Sequence, residues 1–227
     1  FLAWAALISI LGNLLLDFVS LWVSMTAIGG EVSAGRWDLL RLTSLREDGI
    51  VEAKHALAQL RAWRITLVVV GLRLGLVIIL ALHGFVLLPL FGNGGDIFGY
   101  SDFGTGVVLY TTLAIFFAVY IFEPLWRMRT QTALGMMVST YTRSVVYAAL
   151  GSLGMMIAVL VVQALIIAAI GFVISVLTRG FGYTSQLSSM CFILVVCSAT
   201  AVIIYMFYRT VGEWALGRTT RRAFIAD

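Results

Sequence analysis

Residues Ser144–Leu177 read SVVYAALGSLGMMIAVLVVQALIIAAIGFVISVL, 34 residues without a charged side chain. Uninterrupted apolar runs beyond about 18 residues read as membrane-spanning helices, because a helix satisfies its own backbone hydrogen bonds inside lipid. At about 1.5 Å per residue this run would reach about 51 Å as one helix, against a hydrocarbon core of about 30 Å. It is therefore expected to be divided: a span over 144–162, then a short re-entrant or interfacial helix over 164–177, broken near Gly171. The alternative is one long helix projecting into water, which would expose Ile166, Ile167, Ile170, Phe172 and Val173.

The same pattern extends in both directions. Of 227 residues, 61% are hydrophobic and only 11% charged, against about 45–50% and about 25% in soluble domains. Twenty uncharged residues separate Asp102 from Glu123, and 29 separate Arg179 from Arg209. A soluble enzyme, a disordered chain and a secreted disulfide scaffold are excluded. The fold class is all-α: a polytopic transmembrane helical bundle forming one transmembrane domain over 1–227. Its spans are expected at about 1–28, 65–91, 106–122, 144–162 and 187–208. Phe1 opens inside an apolar run with no basic segment before it, so an upstream span, making six, is the expected completion. Pro124 is expected to end the third span, since proline discourages helix at the residue before it. Cys191 and Cys197 lie six residues apart in the last span and face different ways, so they are not expected to pair.

Orientation follows from the basic residues. Glu31–Arg64 holds six, Glu123–Arg143 three and Arg209–Asp227 four, so thirteen of fifteen fall on one side of a five-span arrangement. The positive-inside rule assigns these stretches, and the C-terminus, to the cytoplasm, in a multi-pass protein of the cell membrane. The net charge of +4 is thereby read as topology, with the lipid bilayer and not nucleic acid as its counterpart.

No catalytic, cofactor-binding or metal-binding residues are expected. The sequence has no GxxxxGK[ST] phosphate loop, no HExxH, no Cys/His metal spacing and no nucleophile with a plausible base. His55 and His83 are isolated, with a surface and a packing role expected for them respectively. Two charges stand inside apolar spans. Asp17, about 16 Å from the cytoplasmic edge, and Arg73, about 14 Å from it, lie at similar depths on consecutive antiparallel spans. An intramembrane Asp17–Arg73 pair is expected, because each alone would cost roughly 2.5–3.5 kcal/mol at mid-membrane. Otherwise Arg73 would snorkel to the headgroups, with Asp17 protonated or facing water.

The longest polar stretch, 31–64, has five acids among its charges. That mixture suits docking to a protein better than anchoring on lipid, which favours a mainly basic face. Ile50, Ala53, Leu57 and Leu60 recur at helical spacing, and Ser44-x-x-Glu47 fits a capping box. Glu31, Gly35, Trp37-Asp38-Leu39-Leu40, Leu42-Thr43, Ile50 and Lys54 resemble the segment after the second span in permeases of ATP-binding-cassette exporters of the type-two class. The family pattern is an acid, a Gly-Thr step, two leucines, Thr-Pro and a later Lys. Here Arg36 stands for the Thr, Ser44 for the Pro, and Ala53 for a Gly often found before the Lys. Glu123-Pro124-Leu125-Trp126 and Ala133-Leu134-Gly135-Met136-Met137-Val138-Ser139 resemble the family's segment entering its fifth span.

The resemblance implies a permease subunit for a hydrophobic or amphipathic substrate, pairing with a second permease subunit. A separate cytoplasmic ATPase would bind a coupling segment of Trp37, Asp38, Leu40, Arg41, Leu42, Glu52 and Lys54. ATP would bind on that partner, with no cofactor in this chain. The alternative is a non-transporting accessory or assembly subunit of a photosynthetic or respiratory complex. Gly71-x-x-x-Gly75 and Gly151-x-x-Gly154 would permit close helix contacts under either reading.

Overall fold

The structure is a computed structural model and describes residues 2–33, 47–82, 103–142, 145–180 and 186–225. It is all-helical: α1 (Leu2–Ser33), α2 (Glu47–Ala81), α3 (Phe103–Tyr141), α4 (Val145–Gly180) and α5 (Gln186–Ile225), with no strand among the described residues. Four helices are long and apolar enough to cross a membrane, through Leu7–Thr26, Gly49–Ala81, Val146–Val173 and Cys191–Arg222. The expected third span lies in α3, which is not one of the four; its described part carries Glu123, Arg127 and Arg129 near mid-helix. The chain is a multi-pass helical membrane protein.

Two expected breaks are absent. Val145–Gly180 is one helix through Gly171, not a span followed by a separate helix. A single glycine costs a helix only about 1 kcal/mol relative to alanine, and α4 contains no proline, so nothing in its sequence stops it. α3 likewise continues through Pro124 for a further seventeen residues. The second half of the expected polar stretch is also continuous with the span that follows, both belonging to α2.

The described helices contribute to two compact units. The first comprises 1–69, 124–162 and 206–227, and the second 70–123 and 163–205. The first has a core. From Thr130 to Ser139 every residue of α3 is buried, so this segment is enclosed on all sides by its neighbours. On one side, Leu21 of α1, Ala133, Leu134 and Met137 of α3, Val159 of α4 and Ala215 of α5 form one apolar cluster. On another, Leu16 of α1 packs with Ala62 and Val69 of α2 and Met128 of α3. The segment TQTALGMMVS carries the polar Thr130, Thr132 and Ser139, yet these hydroxyls are absorbed locally. Thr132 Oγ1 donates to the Met128 carbonyl at 2.9 Å and Ser139 Oγ to the Met136 carbonyl at 2.7 Å, the back-bonding that hides Ser and Thr in helices. Gly135 lets α1 approach closely: a Cβ there would collide with Ser24 Oγ and lie 3.1 Å from the Leu21 carbonyl oxygen. Gly151 meets α3 in the same way, through Val138, whereas no neighbouring atom comes within 4 Å of where a Cβ would stand on Gly71, Gly75 or Gly154.

The second unit is inverted. Among its described residues the buried side chains are Arg73 and Glu123, while Leu72, Ile78, Phe116, Phe122, Phe172 and Val195 are exposed. Paired charges inside and large apolar side chains outside is the arrangement that lipid, not water, selects.

Candidate functional site

The charged groups buried in the apolar helices are the first candidates, because each needs a reason to be there. In the first unit Asp17 of α1 faces Arg127 of α3. Arg127 Nε donates to Asp17 Oδ1 at 2.6 Å and Nη2 to Oδ2 at 2.5 Å, with the Asp17 side chain fully buried and that of Arg127 2% exposed. This two-pronged geometry matches the planar guanidinium to the carboxylate and is the strong form of the interaction. The remaining nitrogen, Nη1, lies 3.5 Å from the Tyr208 hydroxyl of α5. One turn on, Thr130 Oγ1 donates to the Tyr208 carbonyl at 2.8 Å. α1, α3 and α5 are thus joined by polar contacts at one level.

In the second unit Arg73 of α2 binds Glu123 of α3, Nη2 to Oε2 at 2.7 Å. Its guanidinium carbon lies 4.6 Å from the centre of the Tyr120 ring, within cation–π range. Arg73 Nη1 also donates to the Tyr120 carbonyl. That carbonyl is the one Pro124 would have served had it carried an N–H, since helical bonds run from residue i to i−4. Arg73 supplies the missing donor.

The expected Asp17–Arg73 pair is therefore corrected: each residue has its charge partner on α3, Arg127 for the acid and Glu123 for the base. The reason is that α3 does not stop at Pro124, so that Glu123 and Arg127 both stand inside the helix and face its neighbours. The signal was present: Glu123 and Arg127 stand four residues apart, one helical turn, and supply one partner of each sign.

His55 is 6% exposed, not a surface residue. Its Nε2 lies 3.1 Å from Thr132 Oγ1, 3.3 Å from the Arg129 carbonyl oxygen and 3.2 Å from Gln59 Nε2. These bonds tie α2 to α3. His83 lies outside the described residues, as do Trp37, Asp38, Leu40, Arg41 and Leu42 of the expected coupling segment. Glu52 is exposed and Lys54 half-buried in the first two turns of α2.

Also within the first unit, α1 and α4 border an apolar groove of about 220 Å³. Phe18 and Trp22, stacked with centroids 6.1 Å apart, line it with Met25, Leu150, Leu153 and Met156. Among the described residues no three His, Cys, Asp or Glu side chains converge to hold a metal ion, and Cys191 and Cys197 are free thiols.

The chain matches no family model, no curated protein and no solved structure. Its chemistry is that of a packed apolar bundle with paired internal charges and a small apolar groove.

Proposed function

We propose that this chain is the membrane-spanning permease subunit of an ATP-driven exporter, moving a hydrophobic or amphipathic substrate while a separate cytoplasmic subunit hydrolyses ATP. The observation that carries the reading is the Glu31–Lys54 sequence, which runs from the last turn of α1 into the first two turns of α2. Glu52 and Lys54 stand near the start of a helix that continues without a break to Ala81. A displacement at that start would move the whole of α2, which is how a coupling segment would bias the spans between states. The groove bordered by Phe18, Trp22 and Met156 supports an apolar substrate, since its lining offers contact area and few polar partners. A second permease subunit and the cell membrane complete the proposal.

In this reading Trp37, Leu40 and Leu42 would supply the apolar contacts to an ATPase groove, and Asp38, Arg41 and Glu52 the rim charges. Binding energy concentrates in such buried anchors. Affinity purification of the full chain from its native membrane should bring down an ATPase, and Trp37→Ala should lose that partner by tenfold or more while still inserting in the membrane. Retention of the ATPase by the variant would remove the coupling assignment, and recovery of pigment-binding or redox subunits in its place would favour an accessory role.

A further inference from the structure

We propose that Ser20 and Gln131 hold a buried water molecule where α1, α2 and α3 meet in the first unit. Ser20 and Gln131 are both fully buried. Ser20 Oγ, Gln131 Nε2 and Gln131 Oε1 have no hydrogen-bond partner in the structure. Contacts on either side set their relative level. Asp17 meets Arg127, and the Leu21 carbonyl and Ser24 meet Gly135. α1 and α3 therefore run in the same direction here, with Ser20 and Gln131 between the two contacts.

The third wall is α2. Ala62 packs with Leu16 and Met128, and His55 meets Thr132, which brings Ala58 to the level of Gln131. Ala58 is 1% exposed, and its methyl group neither fills the space of a larger side chain nor offers a polar atom to the amide. One hydroxyl and one amide offer a water up to three partner atoms, within the two to four that buried waters take. An apolar occupant would leave all three atoms unpaired.

A crystal structure of the full chain in a lipidic mesophase, at a resolution that shows ordered water, tests this directly. A single rounded peak about 3 Å from Ser20 Oγ and the Gln131 amide is expected. Two side chains bonded to each other, an empty site or elongated density would each overturn the proposal. Thermal unfolding gives an independent sign. Removing a hydrated amide strands Ser20, so Gln131→Leu should lower Tm by about 2–4 °C, and Ser20→Ala should lower it less. The double variant should lose less than the two singles together. A rise in Tm for Gln131→Leu would mean that the amide is dry and merely unsatisfied. Should that variant fail to fold, Ser20→Ala, which removes one hydroxyl, carries the same test, with a rise in Tm again overturning the proposal.

Discussion

A carboxylate with no exposed surface keeps its charge only beside a cation that binds it fully, and Asp17 has one in Arg127. Both carboxylate oxygens are engaged, and the guanidinium also reaches Tyr208. Removing one partner of such a pair leaves the other charged and buried, at a cost of about 3–5 kcal/mol, whereas removing both costs less. Asp17→Asn and Arg127→Gln should each destabilise the chain by about that amount, and the double variant should recover part of the sum. Denaturant unfolding in detergent of the four proteins measures the coupling, and strictly additive losses would show that the pair contributes no interaction of its own. That Asp17 and Arg73 needed partners was legible from their position in apolar spans. Which partners they take was not, because the choice depends on how far α3 extends.

α3 extends through Pro124 because its neighbour compensates for the proline. A proline inside a helix removes one hydrogen bond and crowds the carbonyl of residue i−4, at about 3 kcal/mol. Here that carbonyl, on Tyr120, accepts from Arg73. The sequence rule that helices end before proline concerns an isolated chain, and a donor 47 positions before the carbonyl it serves falls outside any local window. Pro124→Ala restores an amide to the Tyr120 carbonyl, so Arg73→Gln should destabilise the Pro124→Ala chain less than it destabilises the wild type, by about 1 kcal/mol. Amide hydrogen exchange in α3 should rise around Tyr120 with Arg73→Gln alone and return toward normal in the double variant. Equal effects in both backgrounds would show that the arginine serves Glu123 only. Gly171 teaches the converse for α4: the length of Ser144–Leu177 argued for a break, but one glycine is too weak a signal to make one.

At the scale of the whole molecule the sequence is most informative, since apolar length and charge clustering are properties of long stretches. The all-helical, multi-pass character was legible from them, while the central burial of Thr130–Ser139 was not: hydroxyls that bond their own helix look polar in composition and behave as core. The partition into two units follows the charge pattern. The first unit holds thirteen of the fifteen basic residues, and the second holds Arg73 and Arg179. If the positive-inside rule sets orientation, the stretches 34–46, 142–144 and 226–227 are cytoplasmic and the stretches 83–102 and 181–185 are on the opposite side. With Cys191 and Cys197 replaced by serine, single cysteines at Ser44, Thr142 and Asp227 should react with a membrane-impermeant maleimide only after cells are permeabilised. A cysteine at Asn93 or Thr184 should react in intact cells. Labelling of Thr142→Cys and Asn93→Cys from the same side would mean that α3 does not cross the membrane, and would leave four spans.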